Sequence, residues 1–157
     1  MIMNPIRPSK TLTAPATLKI LPCTALLAER VTVPGAREAT IRVLIGPNDG
    51  APNFAMRLFE LAPGGHTPKH SHSFEHEVFI LEGTGVALDG DRERPIGPGM
   101  AIFVPPDRPH QFHNTGSCTF RFLCLIPNDT SPATARSVTL SGKTPPTGTG
   151  GCCPCGG

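Results

Sequence analysis

A chain of 157 residues with a formal net charge of +2 is long enough for one domain with a real core. It carries no dense basic stripe that would address nucleic acid. Nineteen Pro and seventeen Gly speak for turns and short strands and against a helical bundle, and the lack of Tyr removes a common general acid or base.

No window reaches the run of about 20 apolar residues that a membrane helix needs. Residues 1–15 lack the apolar stretch of a signal peptide, so the expected location is cytoplasmic. Cys23, Cys118 and Cys124 are scattered and read as reduced, partly buried thiols.

Residues 1–17, rich in Pro, Thr and Ser, read as a loose arm. Residues 18–28 are moderately apolar but broken by Pro22. Residues 40–45 read as a strand closed by Gly46-Pro47-Asn48-Asp49-Gly50. In the next strand, 54–61, Met56, Leu58 and Glu60 share one face and Arg57, Phe59 and Leu61 the other. Gly64-Gly65 is expected to turn the chain into a histidine-rich run, His66-Thr67-Pro68-Lys69-His70-Ser71-His72-Ser73-Phe74-Glu75-His76-Glu77.

Residues 77–81 are a strand, and 86–88 lead into the hairpin signal Asp89-Gly90-Asp91. Pro95-Ile96-Gly97-Pro98-Gly99 reads as a turn before the strand 101–104. Pro105 to Pro109 deliver His110, Asn114 to Ser117 form a polar turn, and 119–126 is the last strand. About seven to nine short strands without a helix of consequence indicate an all-β antiparallel barrel or jelly roll. The expected organisation is an arm with first edge strands over 1–39, a barrel over 40–127, and a disordered extension over 128–157. Within that extension, Cys152, Cys153 and Cys155 could hold a soft metal or respond to oxidants, but an incidental tail is the plainer reading.

On an extended segment residues two apart share a face, so His70, His72 and His76 can point together into a barrel, with Val78 and Ile80 following. His110 enters from another strand. Imidazole suits Zn, Cu, Fe and Ni, while carboxylate or water favours Mn and Mg. Four imidazoles on a six-coordinate metal leave two positions for water or substrate, as a catalytic centre requires. His66 and His113 are expected outside the ligand set, His113 because its parity opposes that of His110. Glu75 and Glu77 also have the opposite parity. They are expected outside the barrel or as hydrogen-bond partners of the ligands, with Glu77 a ligand only if a bulge rotates the segment.

These residues resemble the cupin superfamily. Gly64, five residues on, His70-Ser71-His72, and the closing Gly83 follow its first motif, with His76 at the usual glutamate position. Gly99, Pro105, His110 and Asn114 follow the second, with Asp107 where that motif has glycine. His-Ser-His-x-Phe-Glu-His-Glu is similar to a group of single-domain cupins that bind manganese through four histidines. The resemblance covers about residues 40–127 and implies a single-domain cupin β-barrel with ligands His70, His72, His76 and His110. It also implies Mn as the metal, with Fe, Ni, Cu or Zn as alternatives, and a homodimer acting on a small-molecule substrate.

The first functional expectation is an oxidoreductase using dioxygen or peroxide. The second is a metal-assisted isomerase, epimerase or lyase, which needs a proton carrier from among Glu75, Glu77, Lys69 and His113. The third is a small-molecule-binding cupin without catalysis. Arg57 and Arg121 sit on expected strands, and an arginine inside the barrel would hold a carboxylate or phosphate.

Overall fold

The computed structural model describes residues 18–128 and the backbone of 135–137. Its strands, in chain order, are β1 Glu29–Arg30, β2 Arg37–Ile45, β3 Phe54–His66, β4 His70–His72, β5 His76–Glu82 and β6 Gly85–Asp89. They continue with β7 Arg92–Ile96, β8 Ala101–Val104, β9 His110–Asn114, β10 Phe120–Pro127 and β11 Ala135–Ser137. Every pairing is antiparallel. One side of the curled sheet runs β2-β3-β10-β5-β8; the other places β9 beside β4, β6 and the end of β3. The result is the all-β half-barrel anticipated from the turn-rich composition.

The alternation of side chains builds the interior. In β5, His76, Val78 and Ile80 are buried while Glu77, Phe79 and Leu81 face outward. From β10, Phe120, Phe122 and Cys124 meet them, and Leu61 of β3 and Phe112 of β9 complete the core. Phe122 stacks on Phe59, with ring centroids 5.2 Å apart. The inner face is thus aromatic in its middle and imidazole at one end.

Three features differ from the sequence-based outline. Gly64-Gly65 does not end the third strand, because β3 continues to His66 while its register against β2 slips by several residues. A Cβ at Gly65 would lie 2.7 Å from the carbonyl oxygen of Glu38, so glycine there permits close approach of β2. Residues 92–96 form the edge strand β7, with Pro95 tolerated because an edge needs no donor on its open side. One short strand, β11, lies in the extension 128–157 and pairs with β4. The arm 1–17 and the cluster Cys152, Cys153 and Cys155 lie outside the described residues.

The broken segment 18–28 contains one 3-10 turn, Cys23–Ala25. It is tied to β2 by Lys19 Nζ, which donates to the Leu44 carbonyl at 3.0 Å, and by Arg42 Nε, which donates to the Leu26 carbonyl at 3.0 Å. Among the described residues no helix is long and apolar enough to cross a membrane.

Candidate metal centre

Four imidazoles converge at one end of the interior. His70 and His72 come from the three-residue strand β4, His76 opens β5 and His110 opens β9. β4 and β9 pair with His70 opposite His110, which places two ligating positions side by side across a ladder. The candidate ligand atoms of all four residues lie within 4.8 Å of one another. His72, His76 and His110 are at most 5% exposed, and His70 is half-buried.

The second nitrogen of each ring shows which end is offered. His70 Nδ1 lies 2.8 Å from the Pro68 carbonyl, His72 Nδ1 2.6 Å from that of Phe74, and His110 Nδ1 2.8 Å from that of Arg108. A carbonyl accepts only, so each Nδ1 carries the proton and each Nε2 keeps its lone pair for the interior. Phe74 stacks on His72 at 3.8 Å and holds its ring plane. His76 is backed differently, with Nδ1 3.1 Å from Cys124 Sγ and 3.4 Å from Arg57 Nη2. The tautomer that turns Nε2 inward donates Nδ1–H to the Cys124 sulfur. His72 Nε2 and His76 Nε2 are in direct contact.

Burial also keeps the cluster neutral. Desolvation holds His70 and His72 below the ordinary imidazole value and pushes His110 down to about 4. His76 is pushed further down, first by burial and then by the Arg57 cation. Neutral imidazole is the metal-binding form, and the four-nitrogen donor set fits a borderline divalent cation. The residues present therefore fit the metal that the motif spacing implies.

The loops that position these rings explain two motif residues. Asp107 has a φ of +61°, the left-handed conformation that glycine adopts freely and Asp tolerates. Its N–H donates to the His72 carbonyl at 2.7 Å and ties the β8–β9 loop to β4. Gly83 has a φ of +77°, and a Cβ there would lie 2.6 Å from the Thr119 carbonyl oxygen. Asn114 is structural: its amide donates to the carbonyls of Leu61 and Cys118, both at 2.8 Å.

The remaining candidates lie elsewhere. Glu77 is exposed on the outer face, opposite Phe103 in an unbroken β5–β8 register, so no bulge turns it inward. Glu75 is half-buried and does not join the four histidines. His113 stacks on His66 with ring centroids 5.0 Å apart, and burial pushes its pKa down to about 4. Lys69 pairs with Asp91 at 3.3 Å, and Arg121 pairs with Glu60 and Glu82.

Arg57 is the arginine that enters the interior, beside Cys124. Sequence reading offered both residues without linking them. Their juxtaposition depends on the β3–β10 register, in which Arg57 lies opposite Cys124.

Beside the cluster is a cavity of about 380 Å³ whose walls include His70, His76 and His110. Val31, Ile41, Phe59, Phe112 and Phe122 make most of it apolar, with Arg30, Thr32, Arg57, Thr67 and Cys124 as polar interruptions. A larger recess of about 900 Å³ between β6–β7 and β8 touches only His110 of the four. Of the two, the smaller cavity borders more of the imidazoles.

Residues 57–126 match the family model described as a cupin domain. The structure is similar to that of the polyketide cyclase RemF from Streptomyces resistomycificus, at 42% identity and a TM-score of 0.73 over 80% of this chain and 88% of that one. The sequence is 34% identical to 1-methylthio-D-xylulose 5-phosphate methylsulfurylase of Rhodospirillum rubrum over 45% of this chain and 46% of that protein. It is 31% identical to protein SchB of Streptomyces halstedii over 55% of this chain and 64% of that protein. The chain spans between 46% and 64% of the length of the curated relatives it matches. With the half-barrel, the family match and the four converging histidines together, the chain belongs to the cupin family.

Proposed function

We propose that this cupin is a metal-dependent enzyme that closes a ring in a small polyketone-type substrate without net oxidation. The observation that carries the reading is the apolar cavity opening directly onto three of the four imidazoles. The similarity to a polyketide cyclase over most of that protein's length supports it. A divalent cation held by His70, His72, His76 and His110 would act as a Lewis acid on a substrate carbonyl.

The chain's own residues define which substrates suit this site. Among the described residues lining the cavity there is no Asp, Glu, Lys or Tyr. The Thr67 hydroxyl is engaged, accepting from the Phe112 N–H at 2.9 Å. The cavity thus offers no strong side-chain base, and it suits carbon acids that ionise readily. A methylene between two carbonyls is such an acid, because both carbonyls delocalise the resulting charge. Phe59, Phe112 and Phe122 provide flat walls that align an extended polyketone and exclude water. Ring closure is then redox-neutral: the methylene carbon bonds to a carbonyl carbon and one of its protons goes to the carbonyl oxygen. The hydroxyl so formed then leaves as water with the second proton of that carbon, and a C=C bond takes its place.

Oxygenation at the same centre is the second reading. An all-imidazole donor set leaves a bound cation's charge uncompensated, which favours anionic oxygen species. One experiment separates the two: metal-loaded protein is mixed with a synthetic 1,3,5,7-tetraketone with and without oxygen. Ring closure gives a product lighter by one water at the same rate in both. A product formed only with oxygen, or an equal rate with His76→Ala protein, would overturn the cyclase reading.

The same reading takes the molecule as a homodimer. Phe79, Leu81 and Phe103 form an exposed apolar patch on the outer face of β5 and β8, and a second copy of this face is its proposed cover.

A further inference from the structure

Arg57 carries more charge into the interior than the described residues balance. Arg42, Arg108 and Arg121 each meet a carboxylate, from Glu60, Asp89 and Glu82 respectively, and Arg30 lies 3.9 Å from Glu38. Arg57, which points into the cavity, meets none among the described residues. Its Nη2 donates to Cys124 Sγ at 3.0 Å, a weak acceptor, and its guanidinium carbon lies 5.2 Å from the centroid of the Phe59 ring. Its Nε is buried without a hydrogen-bond partner.

A guanidinium has five N–H donors, and leaving them unmatched away from water is costly unless a ligand supplies the acceptor. Arg30 is the other charged residue of the lining, so the walls hold two cations and no anion. A metal cation at the histidines would add to the same sign.

Building on the cyclase reading, we infer that Arg57 is an anion subsite that binds a carboxylate or enolate of the substrate, while Phe59, Phe112 and Phe122 hold its flat apolar body. The fork of N–H groups matches a carboxylate's two oxygens, and the low-polarity walls strengthen the pair. Such a subsite holds one charged group of the substrate beside the imidazoles, because Arg57 Nη2 lies 3.4 Å from His76 Nδ1. It therefore decides which carbonyl faces the imidazoles.

Two probes of equal shape test this: 2-naphthoate and 2-naphthamide, titrated by calorimetry into metal-loaded protein and into the same protein after chelation. The wild type is expected to bind the carboxylate about tenfold tighter than the amide in both states. Arg57→Gln should remove most of that preference while leaving amide affinity within about twofold, and Arg57→Lys should keep part of it. Equal binding of the two probes by wild type, binding of neither, or an undiminished preference in Arg57→Gln would overturn the inference. So would a preference that vanishes on chelation, because the cation would then be the anion's holder. The wild-type comparison needs no variant, and Arg57→Lys keeps the charge if Arg57→Gln fails to fold. A failed tetraketone assay with an intact carboxylate preference would sink the cyclase reading alone.

Discussion

His76 shows how one side chain is placed by sequence and tuned by its neighbours. Its position, six intervening residues before Gly83, is legible in the sequence, and the even spacing from His70 and His72 sets its direction. Its support is not legible, because Cys124 lies 48 residues away and reaches it only through the β5–β10 register. Cys124→Ala should keep the fold but weaken metal binding by about 10- to 100-fold, the usual effect of losing a ligand's hydrogen-bond partner. Competition with a chromogenic chelator measures this, and an unchanged affinity would show that the thiol does not orient the ring.

The buried rings also give a pH dependence. His110 and His113 are each pushed by burial from 6.5 down to about 4 in the folded chain. Between those values the unfolded chain binds more protons, so stability falls as pH drops from 6.5 towards 4 and is level above that window. For His110 alone the loss is about 3 kcal/mol. Thermal melts of chelated protein from pH 8 to pH 4 should show it, and a melting temperature constant across that range would contradict it.

At the scale of the element, the alternating strands could be read directly because one face of each is buried. In β5 the order Val78, Phe79, Ile80, Leu81 is apolar throughout, yet the flanking His76 and Glu77 show which parity is inward. β7 was missed because Arg92, Glu93, Arg94 and Pro95 are polar or unable to donate, and an exposed edge strand leaves no apolar signature. The continuation of β3 through Gly64-Gly65 was missed because a glycine pair reads the same whether it turns the chain or admits a neighbouring backbone.

β4 depends on the β8–β9 loop through the Asp107–His72 backbone bond. Asp107→Gly should therefore be neutral or slightly stabilising, whereas Asp107→Val should cost about 1–3 kcal/mol by forcing a β-branched residue into the left-handed region. Urea melts of both variants would show the difference, and equal stabilities would mean the loop adapts.

For the whole molecule, the half-barrel brings together segments that are far apart in sequence: β3 and β10 supply the cavity wall, while β4, β5 and β9 supply the imidazoles. Fold class and ligand spacing were readable because they depend on local alternation and short motifs. The cavity was not, since its lining needs registers among strands up to tens of residues apart. The outer apolar patch is the proposed dimer face. Phe79→Glu with Phe103→Glu should convert the proposed dimer to monomer in sedimentation equilibrium while leaving bound metal unchanged. A dimer that survives both charges would place the interface elsewhere.

The candidate centre gathers four imidazoles and no carboxylate, so metal content should follow His76 and not Glu77. Elemental analysis of wild type, His76→Ala and Glu77→Ala protein, each purified without added metal, would decide. About one metal ion per chain is expected in wild type and in Glu77→Ala, and far less in His76→Ala. Full retention without His76, or loss on removing Glu77, would contradict it.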